Sequence, residues 1–366
     1  MVLDKLDEKI KKIEEELKKT ERNKATEHHI GFLLAKLAKL KKEKAEKQQK
    51  KASRKGFNVR KGKEPCIFIV GPPSVGKTTL INALTGTNAK TADYDFTTLE
   101  LNVGIMKYNG YSIKIIDTPG LIKGASKGKG NGKEVLSSIR SADLLMIVVD
   151  TNNPKEKIKM ILDELYESGF RVNRKKPDIM IEKNDSDGIV ILRNMSTIET
   201  KTIKNILHEF GIHNVNISIN EPVELEDIID SIASNRVYVN AVFVINKVDN
   251  IKEIEKEKLK KELAMNDVLF VSAKDNIGIE ELNEALIKKM DIIKVYTRDK
   301  FGNVNKENPL ILKKGSTVKD ACFLIHQHLA KSFKYALVWG KSVKFPGQKV
   351  GLDHILCDND ILFIKA

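Results

Sequence analysis

The stretch Gly71-Pro-Pro-Ser-Val-Gly-Lys77-Thr78 constrains this chain more than any other, because it matches the phosphate-loop pattern G-x-x-x-x-G-K-[ST] in its proper context. It follows an apolar, β-branched run, Cys66–Val70, and opens a helical segment, Thr79–Leu84. Glycines let successive backbone N–H groups converge on phosphate oxygens, and the helix N-terminus adds partial positive charge. Gly71, Pro72, Pro73, Ser74, Val75, Gly76, Lys77, Thr78 and Thr79 are therefore expected to wrap the phosphates of a nucleotide. Lys77 would neutralise the β- and γ-phosphates, and the Thr78 hydroxyl would bind Mg²⁺.

Further apolar runs at Ser112–Ile116, Leu144–Val149, Val242–Ile245 and Leu269–Val271 alternate with helical segments. That alternation predicts an α/β fold, a mostly parallel sheet with helices on both faces, over residues 64–290. About ninety residues separate Asp150 from Val242, roughly twice what one crossover helix and its loops need. Lys155–Glu167 supplies the helix, which leaves an inserted α+β subdomain over about 169–236. Within it Gly188-Ile-Val-Ile-Leu reads as a strand, and Thr200–Phe210 and Glu224–Ala233 as helices. The insert holds no catalytic constellation.

Three more motifs follow the phosphate loop in order. Asp117-Thr-Pro-Gly120 ends a strand, where the carboxylate can hold Mg²⁺ and the Gly120 amide can sense a γ-phosphate. Asn246-Lys247-Val-Asp249 selects the base. The Asp249 carboxylate accepts from guanine N1–H and N2 amine together, whereas adenine offers it an acceptor and no amine. Lys247 can lay its stem along the base. Ser272-Ala273-Lys274, after the next strand, brings a backbone amide near guanine O6. The nucleotide is GTP or GDP, not an adenine nucleotide. Asp95-Phe-Thr97-Thr98 sits where a switch loop belongs, and Thr98 is the residue placed on Mg²⁺ and the γ-phosphate. Lys77, Thr98 and Gly120 are thus the expected catalytic groups, and Thr78, Thr98 and Asp117 the metal ligands. Leu121 stands where many GTPases carry a water-orienting Gln, so hydrolysis is expected to be slow unless another residue or an activating protein partner positions the water. A GTP-locked assembly module with negligible turnover remains the alternative. The Gly-rich Lys123–Lys133 stretch reads as a second switch, or as a mere flexible loop.

The ends of the chain differ in kind. Leu3, Leu6, Ile10, Ile13 and Leu17, then Ile30, Leu33, Leu37 and Leu40, mark two helical stripes, so residues 1–63 read as a hairpin ending in a basic arm. Between Lys36 and Lys63 thirteen Lys/Arg face two Glu, which accounts for most of the net charge of +14. Such density suits a polyanion, RNA above all; a solvated linker is the plainer reading. Residues 291–366 restart as strands at Ile293–Thr297, Pro309–Leu312, Tyr335–Trp339 and Ile361–Ile364. A Thr317-x-x-Asp320 capping box opens a helix to about Leu329, and together these make a small grasp-like α+β unit. His326 and His328 are expected on different sides of that helix, and Trp339 in the core. The seven histidines suggest no metal site, and the three cysteines read as thiols of a reducing compartment. No apolar run reaches about 18 residues, so no membrane contact and a cytoplasmic location are expected.

With these motifs in place, the chain resembles the developmentally regulated GTP-binding proteins, a branch of the Obg-related GTPases of archaea and eukaryotes. The resemblance rests on Tyr94-Asp-Phe-Thr-Thr-Leu99, the Gly124–Lys133 stretch, Phe333-Lys-Tyr-Ala-Leu-Val-Trp-Gly-Lys-Ser-Val-Lys344 and the helical Thr26–Leu40 region. It implies a C-terminal TGS domain, an insert of ribosomal-protein-S5-like fold, and work around ribosomes and translation. Related GTPases that need K⁺ usually carry Asn in place of Ser74; this departure leaves a K⁺ requirement open.

Overall fold

The computed structural model describes residues 2–52, 65–86, 90–92, 101–118, 132–185, 188–263 and 268–366. Two helices come first, α1 (Val2–Lys19) and α2 (Glu27–Ala52). Thr26 ties the turn between them: its hydroxyl donates to Glu21 O at 2.5 Å and its amide to Asn23 Oδ1 at 3.0 Å. The phosphate-loop strand and helix follow as β1 (Cys66–Val70) and α3 (Lys77–Thr85), then β2 (Lys90–Ala92), β3 (Leu101–Tyr108) and β4 (Tyr111–Asp117). Next come α4 (Gly132–Ile139), β5 (Leu144–Asp150) and α5 (Pro154–Glu167). The insert contains β6 (Phe170–Val172), β7 (Ile179–Lys183), β8 (Ile189–Asn194), α6 (Thr200–Glu209), β9 (Val215–Ile219) and α7 (Leu225–Ala233). The chain returns through β10 (Val237–Asn246), α8 (Glu253–Leu263), β11 (Val268–Phe270) and α9 (Ile279–Met290). The C-terminal part holds β12 (Ile292–Arg298), β13 (Val304–Lys313), α10 (Val318–Ile325), α11 (Gln327–Lys331), β14 (Tyr335–Trp339), β15 (Gln348–Val350) and β16 (Ile361–Lys365).

These elements form two units, residues 1–58 with 169–238, and residues 59–168 with 239–366. In the first, β9 pairs antiparallel with β7 and parallel with β8. Ile217 and Ile219 of β9 bury against Ile203 and Ile206 of α6 and Ile228 of α7. Ile30, Ala35 and Ala38 of α2 enter the same core, so hairpin and insert, far apart in sequence, are held by one set of apolar contacts. The cations of α2 find partners here as well. Lys41 pairs with Glu14 at 2.9 Å, Lys44 with Asp7, and Lys47 with Glu43 at 2.5 Å, while the Lys39 and Lys42 ammoniums donate to Glu209 O and Ala233 O. Among the described residues, five of the arm's cations are therefore engaged by ion pairs or hydrogen bonds within the fold.

In the second unit the main sheet has the order β11-β10-β5-β1-β4-β3-β2. The five strands from β11 to β4 are parallel, as the alternation predicts, and β1 and β5 are buried almost throughout. β3 and β2 run antiparallel at the edge. The pattern hides them because Asn102, Gly104 and Lys107 interrupt the apolar positions of β3. The second sheet, β13-β12-β16-β14-β15, wraps α10 around Val295, Val318, Cys322 and Val338.

The capping box forms: Thr317 N donates to Asp320 Oδ2 at 2.8 Å, and Asp320 N to Thr317 Oγ1 at 3.4 Å. The helix it opens does not reach Leu329. It stops at Ile325, where His326 turns extended and its Nδ1 accepts from His328 N at 3.2 Å, capping α11. The two imidazoles, expected on different sides of one helix, stack with centroids 5.5 Å apart.

The two sheets of this unit touch directly. Tyr111 of β4 donates its hydroxyl to Asp358 Oδ1 at 3.2 Å, and Lys294 of β12 donates to Asn109 O at 2.8 Å while lying over the Tyr111 ring. Burial first, then the Asp358 carboxylate, pushes the Tyr111 phenol up to about 12. Among the described residues no helix is long and apolar enough to cross a membrane.

Candidate nucleotide site

The phosphate loop takes its shape from two close approaches. At Gly71 a Cβ would lie 2.2 Å from Val148 O of β5, so no larger residue fits beside the neighbouring strand. Gly76 has φ +87°, and a Cβ there would lie 2.5 Å from the Asn246 amide nitrogen. The loop between them, with α3 behind it, lines a cavity of about 570 Å³ together with Lys77, Thr78, Asp117 and Lys247.

Lys77 is 8% exposed and curls back on its loop, donating to Pro72 O at 2.9 Å and Gly71 O at 3.3 Å. Burial pulls its pKa below the usual lysine range, and the Asp117 carboxylate pulls it back up. Thr78 donates its hydroxyl to Asp117 Oδ2 at 3.0 Å. Burial raises the Asp117 pKa, against the opposing pull of Lys77 and of the Thr78 hydroxyl. Among the described residues Asp117 Oδ1 is buried with no hydrogen-bond partner. A buried carboxylate oxygen without a donor is costly on its own account. Beside the Thr78 hydroxyl it makes an all-oxygen donor pair that fits a hard cation such as Mg²⁺.

The base-selecting motif leaves the end of β10 and is bolted to the phosphate loop. Asn246 is 2% exposed; its Nδ2 donates to Val75 O at 2.9 Å, and its Oδ1 accepts from Ala273 N at 3.1 Å. One amide thus joins three of the sequence motifs. Lys247, at φ +65°, donates its ammonium to Ser74 O at 2.7 Å. Asp249 stands exposed on the turn Val248–Asn250 and outside the cavity lining, as does Lys274; Ser272 is buried and its hydroxyl donates to Asp275 Oδ2 at 3.2 Å. Pro73 and Thr79 line the cavity. Thr98 and Gly120, with Leu121 and the Gly-rich stretch, lie outside the described residues.

Two lining residues escape the sequence reading. Asn102 comes from β3, one position beyond the Val103–Ile116 pair and hence beside Asp117. Thr118, 1% exposed, donates its hydroxyl to Ile69 O at 2.6 Å and locks the end of β4 to β1. Thr118 lies inside a motif already quoted and could have been singled out; Asn102 carries no sequence signal apart from the strand.

Residues 66–184 match the family described as 50S ribosome-binding GTPase, residues 186–292 the C-terminal region of that domain, and residues 293–366 the TGS domain. The chain is 42% identical to an uncharacterised GTP-binding protein of Methanocaldococcus jannaschii over 98% of this chain and 92% of that protein. It is 38% identical to developmentally-regulated G-protein 3 of Arabidopsis thaliana over 98% of each, and 37% identical to developmentally-regulated GTP-binding protein 1 of Xenopus laevis over 97% and 98%. The chain belongs to the developmentally regulated GTP-binding protein family. The C-terminal sheet with α10 is the TGS domain. Among solved structures the G domain of the T. maritima FeoB iron transporter aligns with 62% of this chain and 98% of its own, at 21% identity and a TM-score of 0.36.

Proposed function

We propose that this family member is a Mg²⁺-dependent GTP hydrolase that works in the cytoplasm as a ribosome- and RNA-associated switch in translation. The observation that carries the proposal is the Asp117 carboxylate, one oxygen on the Thr78 hydroxyl and the other buried without a partner among the described residues, lining a cavity walled by the phosphate loop. Thr78 and Asp117 are the groups that would hold Mg²⁺, joined by Thr98. When bound there, Mg²⁺ would supply positive charge against the negative charge that grows on the phosphates in the transition state.

The remaining work falls to the protein. Lys77 would exchange its two carbonyl acceptors for phosphate oxygens, and its ammonium, partly desolvated already, would gain a strong charge-assisted bond. Backbone amides of the loop and the N-terminus of α3 add fixed positive potential without reorganisation. Gly120 would report the γ-phosphate to the segment after it. Asp249 would read guanine while Asn246 holds reader and phosphate loop in one frame. Leu121 cannot orient water by hydrogen bonding, so rapid turnover requires positioning from another residue or from a partner.

Single-turnover GTP hydrolysis, measured with and without ribosomes and with and without Mg²⁺, tests the proposal. Slow Mg²⁺-dependent turnover that ribosomes accelerate is expected. GTP bound tightly yet unhydrolysed in every condition would leave a locked assembly module instead.

A further inference from the structure

One residue of the nucleotide cavity belongs to none of the motifs that announce it. Asn102 of β3 lines the cavity with Lys77, Thr78 and Asp117. Val103 pairs antiparallel with Ile116, so the next step outward sets Asn102 directly opposite Asp117. Residues opposed in this way share a face of the sheet, with Cβ atoms about 5 Å apart. Leu101 and Val103 on either side are apolar, and a strand has no need of Asn, which is depleted in sheets. A half-buried amide is therefore kept beside the carboxylate at some cost to the strand.

The chemistry of the pair is specific. Asp117 Oδ2 accepts from the Thr78 hydroxyl at 3.0 Å, while Oδ1 is buried without a partner among the described residues. Burial raises the Asp117 pKa; the charge of Lys77, and then hydrogen bonds from the Thr78 hydroxyl and the Asn102 side chain, lower it. An Asn amide donates without carrying charge. It can steady a carboxylate without the repulsion that a second ammonium beside Lys77 would set against a divalent cation.

We propose that Asn102 is a positioning residue for the metal: its side-chain amide fixes the Asp117 carboxylate so that Oδ2 meets Thr78 and Oδ1 is left for Mg²⁺ and its waters. This role rests on the Mg²⁺-dependent reading above and adds a group to it. Asn102 touches no reacting atom. It acts through Asp117, as the hydrogen-bond partners of metal-binding side chains generally do, and losing such a partner costs about ten- to a hundredfold in metal affinity. A neutral donor also leaves the charge of the cavity unchanged, so nucleotide affinity without metal should not depend on it.

Release of a fluorescent, non-hydrolysable GTP analogue from the full-length protein is timed across a range of buffered free Mg²⁺. In the wild type, release should slow as Mg²⁺ binds, about a defined midpoint. Asn102→Ala and Asn102→Leu should each move that midpoint to roughly tenfold higher Mg²⁺, with release in excess chelator and the thermal midpoint unchanged. Leu fills the space of Asn without a donor, so a packing role predicts that it restores what Ala loses. Mn²⁺ substituted for Mg²⁺ gives a second readout: its electron paramagnetic resonance line shape should change in both variants. Release insensitive to Mg²⁺ in the wild type would sink the metal reading and this role with it. Three results would overturn the role of Asn102 and leave the metal reading standing: a midpoint unmoved in both variants, a midpoint restored by Leu, or variants that release faster even in chelator.

Discussion

Replacing Asn246 by Ala is the most demanding test of the site, because no part of Asn246 is needed to touch the nucleotide. The side chain satisfies two buried backbone groups, Val75 O in the phosphate loop and Ala273 N after β11. Val75 is 1% exposed and Ala273 7%, so bulk water does not readily replace either bond. Each orphaned backbone group costs about 1–3 kcal/mol, and two give roughly 2–6 kcal/mol, shared between folding and nucleotide binding. If half of that falls on binding, the affinity for a fluorescent GTP analogue drops about five- to 150-fold. Asn246→Asp separates the two bonds: it keeps an acceptor for Ala273 N but sets a carboxylate oxygen against Val75 O. It should therefore bind nucleotide no better than the Ala variant despite its matching size. Stopped-flow binding and chemical denaturation are read on the same samples. A combined loss under about 1 kcal/mol in Asn246→Ala would falsify the claim that this amide couples the base reader to the phosphate loop.

The other expectations are simpler. Asp249→Asn should weaken GTP binding strongly and admit a xanthosine nucleotide, since an amide can donate to xanthine O2; full guanine preference in competition binding would remove Asp249 from base reading. Lys77→Ala or Thr78→Ala should abolish Mg²⁺-dependent hydrolysis, at least a hundredfold by loss of charge neutralisation, and chelating Mg²⁺ from the native protein should do the same. Tyr111 should ionise near 12 in an ultraviolet difference titration that uses Tyr111→Phe as the blank. Its folded pKa lies above the unfolded value near 10, so its contribution to stability is fully present below pH 10 and fades as pH rises through 12; Asp358→Asn should move the ionisation down. Changing Lys50, Lys51, Arg54, Lys55, Arg60, Lys61 and Lys63 to Gln should lower the logarithmic salt slope of ribosome co-sedimentation by roughly three to five, and an unchanged slope would make the arm a solvated linker. Removing all of residues 1–63 is a poorer experiment, because it strips Ile30, Ala35 and Ala38 from the core of the insert.

How much of the molecule is legible in the sequence depends on whether a feature's cause is local. Gly71, Gly76, Lys77 and Thr78 announce themselves because a backbone that cradles phosphate needs those residues at that spacing. The parallel strands show for a similar reason: buried on both faces, they must be apolar without a break, as β1 and β5 are. β3 escapes the pattern because only the three-residue β2 flanks its outer side, so it answers to fewer neighbours and tolerates Asn102, Gly104 and Lys107. The break at His326 was missed because helix periodicity continues to Leu329; what ends the helix is the imidazole of His326 capping α11, a choice of side-chain acceptor that no period encodes.

Long-range pairing was the least legible. The stripe on α2 shows that one face must be buried, and both α1 and the insert are apolar enough to bury it. Its sharing of Ile30, Ala35 and Ala38 with Ile203, Ile206 and Ile228 follows from topology that joins segments some 170 residues apart. The same holds for the lysines of α2. Read along the chain they form a dense basic run, broken only by Glu43 and Glu46 among charged residues, suited to a polyanion. In space Lys41, Lys44 and Lys47 meet Glu14, Asp7 and Glu43, and the ammoniums of Lys39 and Lys42 meet backbone carbonyls of the insert. Exposed ion pairs of this kind add little stability, about 0–1 kcal/mol each, but they set which cations must give up a partner before touching phosphate. A charge run in a sequence therefore gives only an upper limit on the phosphates it can hold.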